Sequence, residues 1–426
     1  MDKLLELFLQ CPSISVDSRN ILPGSLFFAL KGENFDGNRF AREAISAGAR
    51  YAVVDDPDLR NCPDCIWVKD ALKALQQLSL DYRKLWKIPV IGITGTNGKT
   101  TTKELLSAVL SKQFKTAATQ GNLNNHIGVP LTLLSVKKDD DIAVVEMGAS
   151  HSGEIEFLCN LALPTMGIIT NIGKGHLEGF GSYENIIRTK TALYRSVISR
   201  EGVIFVNADD EVLNKGLQDD RSVYYSVYPH KGVVNGKVTA QNPYLEIELF
   251  GKRVQTKMTG CYNLYNILGA AACGLHFGIT ENEIMDAISN YNPDNHRSQV
   301  IKIGNDTIIA DYYNANPSSM EAALQNMSQV DHEEKYAILG DMKELGEDSD
   351  TEHRKVIDLC KELNIRAFFI GDHFYKAGAG QLPYFPTVEY FNDSSFPFIS
   401  EKYRLILVKG SRSMHLEKLK WFADNR

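Results

Sequence analysis

Short runs of apolar residues, separated by helical patterns, dominate the middle of the chain. Four such runs lie at 90–94, 142–145, 166–169 and 203–206, and they contain few polar residues. Strands of a parallel sheet are buried on both faces and therefore read as continuous apolar runs, joined by helices rather than by tight turns. The pattern predicts a mainly parallel sheet in this part of the chain.

The segment before this region carries a smaller version of the same pattern. Apolar runs at 26–30, 51–54 and 66–68 alternate with helix-like stretches at 39–47 and 70–86. Alternation of strands and helices is typical of an α/β unit. The pattern starts again after 86, which places a domain boundary there.

Between 233 and 258 polar and apolar residues alternate, as in a half-buried antiparallel hairpin, with Gly251-Lys252 at its turn. Helical patterns follow at 263–278 and 281–290. We expect the hairpin to extend the central sheet.

A third α/β pattern begins after Tyr291-Asn-Pro-Asp294. Strands are predicted at 299–303, 306–310 and 404–408, and a last helix from about 414. The expected fold class is therefore α/β with three domains: a central P-loop sheet with an appended antiparallel hairpin, and a Rossmann-like C-terminal domain. The predicted limits of the three domains are 1–86, 87–293 and 294–426.

Composition narrows the function classes. The chain has 426 residues, of which 43% are hydrophobic, and a formal net charge of −7. No global basic field is available for a nucleic-acid backbone, so an anionic ligand must be held locally.

Seven scattered cysteines suit a reducing compartment, and Cys62 and Cys65 are expected to be ordinary thiols. No apolar run approaches the roughly 20 residues of a membrane span, and we expect a cytoplasmic protein that does not insert into membranes.

The strongest chemical signal is the segment Gly95-Thr96-Asn97-Gly98-Lys99-Thr100-Thr101, which follows a predicted strand and precedes a predicted helix. In that context backbone N–H groups and the helix N-terminus face a phosphate, Lys99 supplies a cation, and Thr100 offers a hydroxyl to a phosphate-bound magnesium ion. Without the flanking strand and helix, Gly-Lys-Thr would indicate a surface turn instead. No Asn-Lys-x-Asp sequence of guanine-specific proteins occurs, so adenine is preferred.

Three further residues are candidates on weaker grounds. Glu146 ends a predicted strand at the ligand-binding edge of the sheet, where it is either a magnesium ligand or a cap for the next helix. His176 lies in a glycine-rich loop after another strand, which favours a metal or phosphate ligand over a structural histidine. Lys190, on the helix after that loop, would by itself be an exposed surface lysine.

Together these motifs resemble the Mur ligase family of ATP-dependent amide-forming enzymes. The resemblance continues in all three predicted domains. It is carried by Asp17-Ser-Arg19 with Pro23–Gly32, Gly121–Pro130, Asp311–Met320, Leu339–Gly346 and Val408–Met414. It is greatest to the members that add D-alanyl-D-alanine to UDP-N-acetylmuramoyl-tripeptide.

The resemblance implies an enzyme that uses ATP and two Mg²⁺ ions and forms an acyl phosphate on the tripeptide. The sequence leaves the oligomeric state open, and we expect a monomer. The resemblance also implies Thr100 and Glu146 on one ion, and His176 and a carbamylated Lys190 on the other, with Lys99, His176 and Lys190 as catalytic residues. Nucleotide binding is implied for the loop Gly95–Thr101, Asn263, Asn266, Arg297 and Asp311. Substrate binding is implied for Asp17, Ser18, Arg19, Asn122, Asn125, Asn314 and Asn316.

Two alternative functions stay open at this point. One is another acyl-phosphate ligase of the same superfamily, similar to a folate polyglutamate synthase. The other is a nucleotide-dependent binding module that forms no bond. The N-terminal Asp17-Ser-Arg19 segment argues against the first, and the several polar motifs of the third domain argue against the second.

Overall fold

The computed structural model of the chain describes residues 3–214, 220–396 and 402–423. Within these residues the strands form three main sheets and one two-stranded ladder, and most strand pairs of the main sheets are parallel. The chain is thus an α/β protein, in agreement with the hydrophobic pattern. Each main sheet falls within one predicted domain, although the exact domain limits remain a prediction.

The first sheet has four parallel strands in the order β1-β2-β5-β6. Its elements are α1 (Lys3–Phe8), β1 (Ile14–Ser15), β2 (Leu26–Phe28), β3 (Lys31–Gly32), β4 (Phe35–Asp36), α2 (Ala41–Ser46), β5 (Tyr51–Val54), β6 (Cys65–Trp67) and α3 (Ala71–Arg83), with 3₁₀ turns at Gly37–Phe40 and Pro57–Leu59. Strands β3 and β4 form the separate ladder. Arg83 fixes this unit to the next one, because its buried guanidinium donates to the carbonyls of Ala162 and Leu163.

One expectation about this unit is wrong. Cys62 and Cys65 are joined by a disulfide instead of being two ordinary thiols. The turn that leads into β6 brings their Cα atoms to 5.3 Å, within the range that a disulfide requires. The spacing of two intervening residues permits this bond, but it does not distinguish the bond from a pair of thiols.

The central sheet has nine strands in the order β15-β14-β13-β12-β11-β10-β7-β9-β8. The strands are β7 (Val90–Thr94), β8 (Thr116–Ala118), β9 (Ile142–Glu146), β10 (Met166–Ile169), β11 (Val203–Asn207), β12 (Val223–Ser226), β13 (Val234–Gln241), β14 (Leu245–Leu249) and β15 (Lys252–Gln255). The predicted hairpin is confirmed as β14 and β15, and β13 pairs antiparallel with it.

Helices cover both faces of the central sheet, which explains why its strands read as unbroken apolar runs. They are α4 (Lys99–Leu110), α5 (Gly128–Ser135), α6 (Glu154–Ala162), α7 (Leu177–Phe180), α8 (Tyr183–Ile198), α9 (Glu211–Asn214), α10 (Asn263–His276) and α11 (Glu281–Asn290). One apolar core lies between the sheet and α4, α10 and α11, and a second lies on the opposite face under α5, α6 and α8.

The third sheet has six strands in the order β16-β17-β21-β18-β19-β20, and its one antiparallel pair is β16 with β17. The elements are β16 (Gln299–Ile303), β17 (Asp306–Asp311), α12 (Pro317–Gln329), β18 (Lys335–Gly340), α13 (Ser349–Glu362), β19 (Arg366–Ile370), α14 (Asp372–Lys376), β20 (Tyr384–Phe385), α15 (Val388–Asn392), β21 (Arg404–Lys409) and α16 (Lys420–Ala423). Short 3₁₀ turns lie at Gly346–Asp348, Ala379–Gln381, Arg412–Met414 and Leu416–Lys418.

The predicted last helix from about 414 is wrong. That stretch consists of two 3₁₀ turns followed by the short α16. His415 interrupts the helix because it adopts a left-handed conformation with φ of 53°. No helix in the described part of the chain has the length and apolar character needed to cross a bilayer.

Candidate active site

Three loops meet where β7, β9 and β10 end. These strands are neighbours in the sheet, and the register places Ile93 opposite Glu146 and Thr94 opposite Ile169. The phosphate-binding sequence follows β7, Glu146 ends β9, and the loop with His176 follows β10. Parallel strands bring their carboxyl ends to one edge, which is where open α/β sheets bind ligands.

Two glycines fix the shape of the loop after β7. Gly95 has φ of 147°, and a Cβ atom there would lie 1.9 Å from the Thr170 hydroxyl. Gly98, at the start of α4, has φ of 78°, and a Cβ atom there would lie 2.6 Å from Asn266 Oδ1. Only glycine therefore fits at either position without displacing a neighbour.

Lys99 and Thr100 open helix α4 at the cavity. Lys99 Nζ donates to the carbonyls of Gly95 and Thr96 at 2.8 and 3.0 Å. Burial, opposed by the nearby charge of Glu146, lowers the pKa of Lys99 to about 8. The buried Thr100 hydroxyl makes no hydrogen bond to another described residue. The Lys99 cation and the Thr100 hydroxyl, which has no hydrogen-bond partner in the described part of the chain, therefore line the same cavity.

Glu146 is almost fully buried, with 1% of its surface exposed. Its Oε1 accepts from Asn124 Nδ2 at 2.8 Å, whereas Oε2 has no hydrogen-bond partner among the described residues. Such an orphaned carboxylate oxygen fits a cation ligand, because a buried carboxylate is costly unless it is paired. Sequence reasoning selects Asn122 and Asn125 but misses Asn124, since nothing in the asparagine pattern shows which side chain reaches Glu146.

His176 lies in the loop after β10 and contacts Glu344 from the third sheet unit. His176 Nδ1 is 2.5 Å from Glu344 Oε2, and the neighbouring His176 side chain lowers the pKa of the Glu344 carboxyl. Glu344 is not among the predicted site residues. It belongs to the motif 339–346, but only the packing of the two units reveals its partner.

Lys190 is buried in helix α8, with 2% of its surface exposed, and is not the surface lysine that its position alone would indicate. Burial and the nearby positive charge of Lys99 lower the pKa of Lys190 well below its ordinary value. Its Nζ lies 5.8 Å from the centre of the Phe180 ring and makes no ion pair or hydrogen bond with a described residue.

Asn263 and Asn266 begin helix α10 and join it to the phosphate loop. Asn263 Nδ2 donates to the carbonyl of Thr259, and Asn266 Nδ2 donates to Asn263 Oδ1. Asn266 Oδ1 accepts from the Thr102 hydroxyl of α4 at 3.1 Å. These side chains therefore hold α10 against α4 at the wall of the cavity.

The third sheet unit contributes Arg297 and Asp311 to the same wall. The Arg297 guanidinium lies 3.8 Å from the centre of the Tyr313 ring, and its buried Nε has no hydrogen-bond partner among the described residues. Asp311 accepts from Lys409 Nζ at 2.6 Å and from the backbone N–H of Ser298. Arg297 thus has an unused donor, while Asp311 is already paired.

The start of α12 contacts the phosphate loop directly. Asn316 caps this helix by accepting from the Ser319 N–H, and its Nδ2 donates to Asn97 Oδ1 at 2.8 Å. Asn97 Nδ2 in turn donates to the Ser318 hydroxyl at 2.9 Å. The neighbouring Asn314 bonds within its own turn, because its Oδ1 accepts from the Ala315 N–H.

Most predicted site residues line one cavity of about 970 Å³. The predicted residues that line it are Thr96, Asn97, Gly98, Lys99, Thr100, Thr101, Asn122, Asn125, Glu146, His176, Asn263, Asn266, Arg297, Asp311, Asn314 and Asn316. Gly95 and Lys190 are not among the lining residues, although Gly95 directly precedes Thr96, which is one of them. Asn125 holds the turn that leads into α5, since its Oδ1 accepts from the Ile127 and Gly128 N–H groups.

Asp17, Ser18 and Arg19 lie in the first unit and do not line this cavity. Arg19 forms a two-pronged ion pair with Asp17 at 2.7 and 2.9 Å. This pairing lowers the pKa of Asp17 to about 2. The segment is therefore a separate charged turn at the surface.

The described residues contain no group of three or more His, Cys, Asp or Glu side chains that could hold a metal ion by themselves. A hydroxyl and one carboxylate oxygen, as offered by Thr100 and Glu146, match a magnesium ion that takes its remaining ligands from water and phosphate.

Three family models match successive parts of the chain. The model described as Mur ligase family, catalytic domain, matches residues 12–85. The Mur ligase middle domain matches 93–274, and the Mur ligase, glutamate ligase domain matches 296–412.

Curated relatives and solved structures agree with these models. UDP-N-acetylmuramoyl-tripeptide–D-alanyl-D-alanine ligase of Bacillus subtilis is 34% identical over 423 residues, which covers 95% of this chain and 92% of the relative. The ligase of the same name from Escherichia coli is 33% identical over 96% of this chain and 92% of its own length. A MurF structure from Acinetobacter baumannii has 32% identity and a TM-score of 0.87, with 97% and 92% of the two chains covered. A MurF ligase from Thermotoga maritima in complex with ADP has 25% identity and a TM-score of 0.85, with 100% and 99% covered. The chain belongs to the Mur ligase family.

Proposed function

We propose that this protein is the ATP-dependent ligase that joins D-alanyl-D-alanine to UDP-N-acetylmuramoyl-tripeptide in the synthesis of peptidoglycan precursors. The observation that carries the proposal is the single cavity shared by the phosphate loop, Glu146, His176 and the third unit. Relatives covering more than nine tenths of the chain carry the same activity in their names.

ATP is the nucleotide of the reaction. The loop 95–101 presents backbone N–H groups and the α4 N-terminus to phosphates, and Lys99 adds a cation beside them. Arg297, which also lines the cavity, has a buried Nε donor without a hydrogen-bond partner among the described residues. The resemblance to a ligase solved with ADP supports the same use of this loop here.

The residues of the site fit magnesium, and we propose two ions. Thr100 and Glu146 would hold one, because the carboxylate has a buried oxygen without a partner. His176 and a carbamylated Lys190 would hold the second. When bound, such ions offset the repulsion between a carboxylate and the γ-phosphate.

The environment of Lys190 supports carbamylation. Burial and the charge of Lys99 lower its pKa, so its neutral amine is more populated than that of an exposed lysine. The neutral nitrogen attacks the carbon of CO₂, a proton leaves the nitrogen, and the product is a carbamate anion. This converts a buried cation without an acidic partner into an oxygen ligand of the type that magnesium prefers.

The reaction proceeds in two steps. A carboxylate oxygen of the tripeptide attacks the γ-phosphorus, and the bond from that phosphorus to the β,γ-bridging oxygen breaks to release ADP. The amine of D-alanyl-D-alanine then attacks the acyl carbon, loses a proton, and expels phosphate from the tetrahedral intermediate. Lys99 and Arg297 would stabilise the phosphates. Asn314 and Asn316 line the cavity, and we propose that the dipeptide enters beside them. Asp17, Ser18 and Arg19 would bind the UDP end.

We test the function by the release of ADP with UDP-N-acetylmuramoyl-tripeptide, in the presence and absence of D-alanyl-D-alanine. We expect sustained turnover only with both substrates. Lys99→Ala is the matched control, and it should lose at least about 10²-fold in rate because one phosphate cation is removed. Equal rates with and without the dipeptide, or ligation of glutamate to a folate, would overturn the proposal. Turnover with lysine and diaminopimelate tripeptides then defines the third residue.

We further propose that the enzyme acts as a monomer in the cytoplasm, where its ATP is available. Sedimentation at the concentration used for the assay tests the first statement, and a single species of 47.6 kDa is expected. Fractionation of cells tests the second statement, with the protein expected in the same fraction as ATP-dependent ligation.

A further inference from the structure

The contact between His176 and Glu344 joins two loops that come from different sheets. His176 follows β10 of the central sheet, and Glu344 follows β18 of the third sheet. The two side chains meet at 2.5 Å, and His176 Nδ1 is not aligned for a regular hydrogen bond with any described residue, so the Glu344 carboxylate is the acceptor within reach of it. His176 and Glu344 also share a left-handed backbone, with φ of 54° and 62°. Non-glycine residues occupy that region rarely, so both loops are held in shape by their surroundings.

The loop that carries Glu344 is anchored at the two residues immediately before it. The Met342 N–H donates to the buried His353 Nε2 at 3.0 Å, and the Lys343 N–H donates to the Ser411 hydroxyl at 3.0 Å. A backbone bonded at two successive residues presents the next side chain in a defined direction. Glu344 is therefore placed by the fold of the third unit, although its own side chain is partly exposed.

We propose that Glu344 is a positioning residue for His176, which it holds with a proton on Nδ1 so that Nε2 is the nitrogen left free toward the cavity. The proposal rests on the proposed function only in its consequence for catalysis. A histidine that binds a metal commonly donates its other N–H to a carboxylate, which fixes the tautomer and the orientation of the ring. Here that carboxylate is supplied by a different structural unit.

This arrangement makes the His176 orientation depend on the third unit. Glu344 reaches His176 when the third sheet lies against the central one, as it does in this structure. The ring would then be fixed only while the unit that carries Asn314 and Asn316 is in place. The contact between His176 and Glu344 therefore links the third unit, where we propose that the dipeptide binds, to the phosphate-binding part of the cavity.

The first test is independent of activity. ¹⁵N-histidine labelling and NMR at one fixed pH report which ring nitrogen carries the proton, and the loss of a signal in His176→Gln assigns the residue. We expect a protonated Nδ1 and a free Nε2 in the unmodified protein and in Glu344→Gln, whose amide oxygen still accepts. In Glu344→Ala the proton should move toward Nε2. The same tautomer in Glu344→Ala as in the unmodified protein, or a ring already protonated at Nε2 without substitution, would overturn the proposal.

The second test concerns the metal. Glu344→Ala should raise the Mg²⁺ concentration for half-maximal ADP release by about 10- to 100-fold, and Glu344→Gln should recover much of that loss. Glu347→Gln, an exposed acid three residues further on, is the matched control and should stay within twofold of the unmodified enzyme. A Glu344→Ala enzyme with unchanged Mg²⁺ dependence would contradict the inference. Absence of dipeptide-dependent ADP release in the unmodified protein would instead contradict the proposed function, whatever the tautomer.

Discussion

In the described part of the chain, buried cationic side chains lack an ion-pair partner at the central cavity but have one inside the third sheet. Lys99 and Lys190 have no carboxylate within ion-pair distance among the described residues, and burial lowers the pKa of both. In the third sheet, by contrast, the buried Arg404 Nε donates to Asp306 Oδ1 at 2.6 Å.

The difference shows which buried charges have an oppositely charged partner within the chain. A buried ion that is left without a partner is costly, so a folded protein normally pairs it or shifts its pKa. The third sheet uses pairing, and the central cavity uses the pKa shift. Lys99 thus has no anionic partner among the described residues, which fits the binding of nucleotide phosphates, whereas Lys190 is the lysine that we propose becomes a carbamate.

The largest expected effect is the loss of activity in Lys190→Ala. Removing the proposed carbamate removes one oxygen ligand and leaves space at the wall of the cavity, so ligation should fall by at least about 10²-fold. A short carboxylate such as acetate or propionate, added in excess, should restore part of the rate because it can occupy that space. Steady-state ADP release with both substrates measures the effect.

The control for this experiment is a short amine at the same concentration, which should restore nothing. The fold is checked by circular dichroism and by ADP binding, since Lys190 is buried and its loss also leaves a cavity. Rescue by the amine rather than by the carboxylate would return Lys190 to the role of a buried cation. Full activity without any addition would exclude a catalytic role altogether.

The next effect is on stability and concerns the paired side of the comparison. Arg404→Met leaves Asp306 buried with Trp421 Nε1 as a donor but without its cation, and should destabilise the third unit by about 3–5 kcal/mol. Urea unfolding followed by tryptophan fluorescence measures this change. The exposed pair Arg366–Glu334 on the same sheet provides the control, since solvent screens this pair and Arg366→Met should change the stability far less. Equal effects of the two substitutions would contradict the idea that the buried pair is structural.

Sequence analysis succeeds to different degrees in these two regions for a physical reason. The central cavity is predictable because its residues follow successive parallel strands, and parallel strands place their carboxyl ends at one edge. Thr100, Glu146 and His176 can therefore be grouped from the order of strands and loops along the chain. No local signal reveals the pairing of Arg404 with Asp306, because 98 residues separate them and only the register of β17 with β21 brings them together.

Contacts between units are also not encoded in local sequence patterns. Asn316 is predicted to bind the substrate, but its side chain donates to Asn97 of the phosphate loop, 219 residues away. Glu344 is not predicted as a site residue because its partner, His176, follows a strand of another sheet. Local propensity predicts strands and caps, whereas the packing of one unit on another depends on surfaces that no single segment encodes.

A smaller effect is expected where the two regions meet. Asn97→Ala removes hydrogen bonds to Asn316 and Ser318, which together contribute about 1–2 kcal/mol, or roughly a tenfold change in an equilibrium. We expect KM for D-alanyl-D-alanine to rise about tenfold while kcat changes less. Limited proteolysis between 291 and 298, which tests the proposed boundary near 293, should become faster in Asn97→Ala and slower with nucleotide.

Ser318→Ala removes one of these two contacts and should give roughly half of the free-energy change of Asn97→Ala. If Asn97→Ala leaves both KM and the rate of cleavage unchanged, the contact does not stabilise the packing of the third unit against the phosphate loop. If the unmodified protein is not cut between 291 and 298 even without nucleotide, the proposed boundary loses its support.

The smallest expected effect tests the unpaired cation itself, by comparing Lys99→Met with the unmodified protein over pH. The folded-state pKa of Lys99 is about 8, below the ordinary value of 10.5, so the folded state binds fewer protons between these two values. The cost of the buried charge is therefore fully present below pH 8 and disappears as the pH rises to 10.5. Lys99→Met should melt a few degrees above the unmodified protein near pH 7, since about 1 kcal/mol corresponds to roughly 2–4 °C, and this advantage should shrink toward pH 10.5.

Thermal melts without nucleotide measure this difference in melting temperature. The exposed Lys138→Met is the control, with no pH-dependent difference expected. Saturating ADP should abolish the advantage of Lys99→Met, because the phosphates then supply the missing anion. An advantage that grows with pH, or that persists with ADP, would show that Lys99 is not the unpaired phosphate cation on which the comparison depends.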